Sequence, residues 1–183
     1  GFIILSYEEA SESGDHDIII RKIDPDGLEI WASFFGGPEN ETASAIATDG
    51  AGTYFVCGSI ISYGQKDGLL IGINDQGDML FSDSYGGDGN DWFSDIIFSS
   101  DGGAITLCGV IESNDADAWL LKIGFSGDIV WERNIGLDGV DYANGLAKTT
   151  DGGYVITGYW NTEGNSDYIL IKTDSEGYST DPR

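Results

Sequence analysis

Apolar runs recur along this chain at a fixed step. Ile18-Ile19-Ile20, Leu69-Leu70-Ile71, Ala118-Trp119-Leu120-Leu121 and Tyr168-Ile169-Leu170-Ile171 each follow an acidic residue, and those residues, Asp17, Asp67, Asp117 and Asp167, lie 50 positions apart. Gly27, Gly77, Gly127 and Gly177 keep the same step, as do Trp31, Phe81 and Trp131, and Gly36, Gly86 and Gly136. A fixed period of this length marks a repeat architecture, whose units are too small to bury their own faces and pack on one another. The runs show little polar alternation, which predicts strands covered on both faces.

Each full repeat reads as four short strands. The first is Ala45 to Thr48, Asp95 to Phe98 or Gly145 to Lys148, followed by a Gly-rich turn such as Asp101-Gly102-Gly103 or Asp151-Gly152-Gly153. The second is Tyr54 to Cys57, Ala104 to Cys108 or Tyr154 to Thr157, closed by Gly58, Gly109 or Gly158. A polar loop leads to the apolar third strand. A turn ending in Gly27, Gly77, Gly127 or Gly177 then leads to a fourth strand carrying Trp31, Phe81 or Trp131, which are expected to be buried between units. No stretch has a capped helical period. The predicted fold is an all-β β-propeller of about four blades of four antiparallel strands. Residues 1–183 form one domain, with repeats at about 1–48, 49–100, 101–150 and 151–183. The strand count is three, four, four and three, which reads as part of a larger propeller, with open ends that favour completion by flanking sequence or edge-to-edge self-association.

Charge narrows the partners. Eight Lys and Arg stand against 32 Asp and Glu, a formal net charge of −24. Nucleic acid is repelled by such a surface, and Arg21-Lys22 is its only basic pair. Aromatic residues at 12% argue for a packed chain rather than a disordered one. No apolar run is long enough to be a helical membrane span. Cys57 and Cys108 occupy matching places in neighbouring repeats, which predicts two free, buried thiols.

The segment Ile18-Ile19-Ile20-Arg21-Lys22-Ile23-Asp24-Pro25-Asp26-Gly27-Leu28-Glu29-Ile30-Trp31, with the Asp-Gly-Gly-Tyr and Leu-Ile-Lys-x-Asp-x-x-Gly patterns around Asp151 and Leu170, resembles the SBBP-type β-propeller repeats of bacteria and archaea. The resemblance covers nearly the whole chain. More distantly it is similar to the quinoprotein (PQQ-type) repeat, whose fourth strand also carries a Trp after a Gly turn. The resemblance implies an extracellular or cell-surface, non-enzymatic module for binding or structural assembly, with no catalytic residues to transfer. The alternative is a carbohydrate-active enzyme or a quinoprotein-like propeller fragment.

Candidate chemistry concentrates in the loops between second and third strands and between fourth and first strands. Up-and-down strands bring both sets to one face. Crowded oxygen ligands in turns are what Ca²⁺ takes, and the best loops for calcium are Asp88-Gly89-Asn90-Asp91 and Asn114-Asp115-Ala116-Asp117. The candidate ligands are Asp88, Asn90, Asp91, Asn114, Asp115 and Asp117. Against this, Asp17, Asp67, Asp117 and Asp167 can instead bond backbone N–H groups where a strand begins. His16, the only histidine, reads as an exposed turn residue. Tyr63, Trp92, Tyr142, Tyr159 and Trp160 sit near the same loops, where aromatics among carboxylates suit a glycan or protein partner, or else pack between repeats.

Overall fold

The computed structural model describes residues 1–9, 16–99, 104–112, 116–136, 139–162 and 165–179. Every regular element among them is a β-strand. The first sheet holds β1 (Phe2–Glu9), β2 (His16–Ile23) and β3 (Glu29–Phe35). The second holds β4 (Glu41–Thr48), β5 (Tyr54–Ser62), β6 (Gln65–Ile73) and β7 (Met79–Tyr85). The third holds β8 (Trp92–Phe98), β9 (Ala104–Glu112), β10 (Ala116–Gly124) and β11 (Ile129–Ile135). The fourth holds β12 (Val140–Lys148), β13 (Tyr154–Thr162) and β14 (Asn165–Thr173). Strands pair antiparallel with their sequence neighbours, so the chain is all-β, with sheets of three, four, four and three strands.

The turn between third and fourth strands is built alike in three sheets. Asp24 Oδ1 accepts the N–H groups of Asp26 and Leu28 at 2.9 and 2.8 Å. Asn74 Oδ1 accepts those of Gln76 and Asp78, and Asp174 Oδ1 those of Glu176 and Tyr178, all at 2.9 Å. The glycine that closes each turn has φ between 80° and 89°, a conformation that suits a residue without Cβ. In the third sheet Gly124 stands at the Asp or Asn position, and its turn closes through backbone bonds and a Ser126 hydroxyl that donates to Asp128 Oδ2 at 2.7 Å.

First and second strands run longer than their sequence pattern predicts. Gly58, Gly109 and Gly158 do not end strands. They sit inside β5, β9 and β13, opposite a bulge in the first strand of each sheet. A Cβ on any of them would overlap the backbone oxygen of Thr42, Trp92 or Tyr142. Glycine is there because two backbones approach closely at the bulge. The loop from β5 to β6 is correspondingly short. Ser62 pairs with Gln65, and Tyr63 (φ 52°) and Gly64 (φ 84°) alone make the turn.

Apolar side chains fill three seams between successive sheets. In the first, Ile18 and Ile20 meet Val56, Leu69 and Ile71. In the second, Cys57 and Leu70 meet Phe93, Leu107, Trp119 and Leu121. In the third, Cys108, Ala118 and Leu120 meet Ala143, Tyr154 and Ile156. Each fully buried aliphatic side chain contributes about 1.5–3 kcal/mol. No packing of comparable extent joins the first sheet to the fourth among the described residues. Cys57 and Cys108 are free and buried, and burial pushes both thiols up, so they behave as small apolar groups.

Three expectations need correction. Third strands are covered on both faces in the second and third sheets, but Tyr168 and Leu170 of β14 are exposed, with no sheet packed on them among the described residues. Trp31, Phe81 and Trp131 are half-buried rather than enclosed. Trp31 lies across the next sheet's turn and donates Nε1–H to the Asp75 carbonyl at 2.9 Å, which keeps part of its ring in solvent. His16 is partly buried at the start of β2, edge-on to Tyr7 with ring centroids 5.5 Å apart.

Candidate functional site

First strands begin, second strands end and third strands begin at one end of the sheets, and side chains from three sheets meet there. Lys66 opens β6 and places Nζ 4.5 Å from the centroid of the Trp92 ring. Trp92 opens β8, with its ring 5.9 Å from that of Tyr142 on β12. Tyr142 stacks on Tyr159 of β13 at 4.6 Å and 19°. The two tyrosines are direct cross-strand partners, which is why their rings align. Trp92 and Tyr142 occupy the same position in successive first strands, one period apart. At that position the second sheet has Thr42, whose hydroxyl bonds that of Ser59 at 2.8 Å. One structural place thus carries a small polar pair in one sheet and aromatic rings in the next two.

Burial shapes the electrostatics of this rim. It lowers the Lys66 ammonium pKa, and the nearby Glu112 carboxylate opposes that shift. It raises the Tyr142 hydroxyl, with Tyr159 and Glu112 adding to the shift. A cation over an indole face contributes about 0.5–2 kcal/mol, and an aromatic pair about 0.5–1.5 kcal/mol beyond its buried area.

The carboxylates beneath the rings are tied to the backbone. Asp91 is fully buried. Its Oδ2 accepts the Gly87 N–H at 2.5 Å, and its Oδ1 accepts the Glu112 N–H at 2.8 Å. Glu112 Oε2 accepts both the N–H and the side-chain amide of Asn90, at 3.2 and 3.0 Å. One level down, Asp95 Oδ2 accepts the Leu146 N–H of the next sheet at 2.8 Å. Such bonds hold loops and neighbouring sheets in register.

Of the proposed calcium ligands, Asp88 and Asn90 are exposed and Asp91 is buried on the same loop. The Asp88 carbonyl accepts a hydrogen bond from Gln65. Asp117 lies on β10 against Gly136, where a Cβ would overlap its carboxylate. Asn114 and Asp115, like the turn at Asp101, lie outside the described residues. Among the described residues no group of three or more His, Cys, Asp or Glu side chains is gathered as a metal would need. Asp67 and Asp91 flank Gly86, and the Asp67 carboxyl is raised by burial and then by the Asp91 charge.

Two periodic sets explain each other at this end. Asp17, Asp67 and Asp117 occupy the space that a side chain on Gly36, Gly86 or Gly136 would fill. A third acidic set was present in the 50-residue step without being recognised as one. Glu41, Asp91 and Asp141 are all buried. Lys66 was missed as well, although a lone cation at a strand start amid so much acid was the signal for it. Tyr63 is fully exposed on its two-residue turn. Set beside known proteins, the chain matches no protein-family model and no curated relative.

Proposed function

We propose that the chain is a non-enzymatic β-propeller module of an exported or cell-surface protein, each sheet one blade, binding a polypeptide partner along the rim of Lys66, Trp92, Tyr142 and Tyr159. Two features support the propeller reading. The three seams reuse the same repeat positions, and the first strands β4, β8 and β12 approach one another, as inner strands of radial blades do. The observation that carries the binding reading is the continuous series of one cation and three half-buried rings drawn from three sheets.

Its chemistry favours a polypeptide over a sugar. Lys66 covers a face of Trp92, and Tyr142 and Tyr159 cover a face of each other. Ring edges, hydroxyls and an ammonium remain, the groups with which Trp and Tyr anchor protein interfaces. A net charge of −24 draws in a basic segment and makes the encounter sensitive to salt. Binding rather than catalysis is supported by Asp91, Asp95 and Glu112, whose oxygens already serve backbone N–H groups of loops and strands. Calcium at Asp88, Asn90 and Asp91 is not needed for this reading.

The test is to present the protein to arrays of basic peptides, acidic peptides and glycans at two ionic strengths. Retention by basic peptides is expected, weakened by salt and reduced about tenfold or more in Trp92→Ala, a loss of about 1.4 kcal/mol. Salt-independent retention by glycans would replace the polypeptide with a sugar. Silence on every array would remove the rim as a binding site.

A further inference from the structure

The third strands carry a lysine at one repeat position, Lys22, Lys122 and Lys172, and the second sheet alone has Gly72 there. Lys22 reaches across the first seam and is held by the next sheet. Its Nζ donates to the Asp75 carboxylate and lies 5.9 Å from the centroid of the Tyr54 ring. Lys172 Nζ pairs with Asp151 Oδ2 at 2.9 Å. Lys122 is buried. One seam further on, both members of the Lys22–Asp75 pair are replaced. Gly72 stands for the lysine, and Phe125, on the turn of the third sheet, stands for Asp75. The ring of Phe81 takes the start of the missing side chain, since a Cβ at Gly72 would come within 2.3 Å of it.

A cavity of about 410 Å³ lies at this place, lined by Phe55, Leu80 and Phe81 of the second sheet and Phe125 of the third, with Asp49 as its one charged residue. That volume is in the range of small-molecule sites. Phe55 and Phe81 are the two cross-strand partners of Gly72. Their rings are tilted by 49° with centroids 6.0 Å apart, and Phe125 stacks on Phe55 at 5.6 Å and 22°. Phe125 is 45% and Leu80 56% exposed, so the cavity is reached from solvent. Asp49 Oδ1 accepts the N–H groups of Ala51 and Thr53 at 2.7 and 2.9 Å. Burial pushes its carboxyl up, but these bonds outweigh burial and leave it below its usual value, so it is an anion at neutral pH. The first seam holds its own ammonium with one carboxylate and one aromatic ring. The second seam offers a carboxylate and three rings and has no lysine to put there. Aromatic rings beside an anion are a recurrent means of holding organic ammonium ions. We propose that this cavity binds an organic ammonium ion, its charge at Asp49 and its alkyl stem on Leu80 and the phenyl rings, where the other three sheets supply a lysine of their own. The net charge of −24 raises the local concentration of any such cation. The site is at the turn end of the sheets, opposite the rim, and does not depend on the rim binding a partner.

The probe is n-butylammonium, a lysine side chain without its backbone, followed through backbone amide NMR shifts at constant ionic strength. Saturable shifts centred on Thr53, Leu80 and Ser126 are expected, with a Kd on the order of 1–10 mM for so small a ligand. n-Butanol, the same stem without charge, should bind at least about tenfold more weakly. Asp49→Asn keeps an acceptor for the two N–H groups and should weaken n-butylammonium about tenfold. Phe125→Ser installs the residue that the fourth sheet has in its turn, Ser175, and should weaken it about fivefold. Shifts that do not saturate, shifts spread evenly over the acidic surface, butanol binding as well as the ammonium, or Asp49→Asn leaving the affinity unchanged would each overturn the proposal. Should Asp49→Asn disturb the fold, Phe125→Ser decides, and an unchanged affinity there refutes the site. Nα-Acetyl-lysine methylamide separates the two sources of the ion. Binding as tight as that of n-butylammonium assigns the site to a lysine of a polypeptide, and its exclusion assigns the site to a free alkylamine. Trp92→Ala tests the rim alone and Asp49→Asn the cavity alone, so the two readings fail separately.

Discussion

The two ends of the sheets follow different rules. At the turn end, three of four sheets repeat one device: an Asp or Asn oxygen accepts the N–H groups two and four residues on, and a glycine with positive φ closes the turn. At the rim end the backbone repeats, bulge for bulge, and so do the acidic sets, but the cross-strand pair beside the bulge does not. Thr42 and Ser59 give way to Trp92 and Val110, then to Tyr142 and Tyr159. At the turn end, two of the turns also serve as a surface for the sheet before them. Ser33 Oγ donates to the Gly77 carbonyl at 2.7 Å, and the Tyr85 hydroxyl to the Gly127 carbonyl at 3.0 Å. The bulge at the rim asks only for a glycine opposite it and leaves neighbouring side chains free to diverge.

The sharpest way to break this comparison lies at the turn end. Gly27 and Gly77 have nearly the same φ, 86° and 88°. An added Cβ meets nothing within 4 Å at Gly27, but comes within 2.6 Å of Ser33 Oγ and 2.9 Å of the Trp31 ring at Gly77. Gly27→Ala should cost only the left-handed backbone penalty, about 1–2 kcal/mol. Gly77→Ala should add about 1–3 kcal/mol of overpacking. Chemical denaturation measures both. Equal losses would mean that the turn matters for its own shape and not as a seam.

At the rim, Trp92→Ala should lower stability by about 1–2 kcal/mol, through lost area and the ring contact with Tyr142. Its effect on partner binding should be at least as large. A variant that loses stability but keeps full retention on the peptide arrays would make the rings seam-fillers only. Back at the turns, Asn74→Ala removes one acceptor from two N–H groups that water can reach. A loss of about 1 kcal/mol is expected, against no measurable loss from Gly124→Ala, whose turn has no such acceptor.

The contrast also explains what could be read from the residues alone. Strand number, sheet order and the turns follow from local pattern, and each local choice agrees with the fold. Strand length did not, because Gly58, Gly109 and Gly158 are punctuation to a one-dimensional reading. Their reason lies across the sheet, in the carbonyls of Thr42, Trp92 and Tyr142. The rim was half legible. Trp92, Tyr142 and Tyr159 stood out singly, but their stacking depends on a partner strand and on a residue a full period away. The exposed face of β14 looked like any other third strand, since burial there is decided by a neighbour and not by the run itself.

The smallest expected effect separates the two ends by the sign of a pH slope. Asp67, at the rim, has its carboxyl raised by burial and by Asp91. Its contribution to stability is fully present below the ordinary carboxyl pKa of about 3.9 and is lost as pH rises through the higher folded value. Asp49, at the turn end, is also pushed up by burial, but N–H groups of Thr53 and Ala51 outweigh this and its carboxyl ends lower than usual. Its contribution is present above the ordinary value and is lost as pH falls through the lower folded one. Asp67→Asn should therefore be more stable than the parent at neutral pH, with the gain vanishing toward about pH 3. Asp49→Asn should be less stable at neutral pH, with the deficit closing over the same acid range. Urea midpoints across that range decide it. Slopes of the same sign would mean that a bound cation, rather than burial beside Asp91, sets the state of the Asp67 carboxylate at the rim.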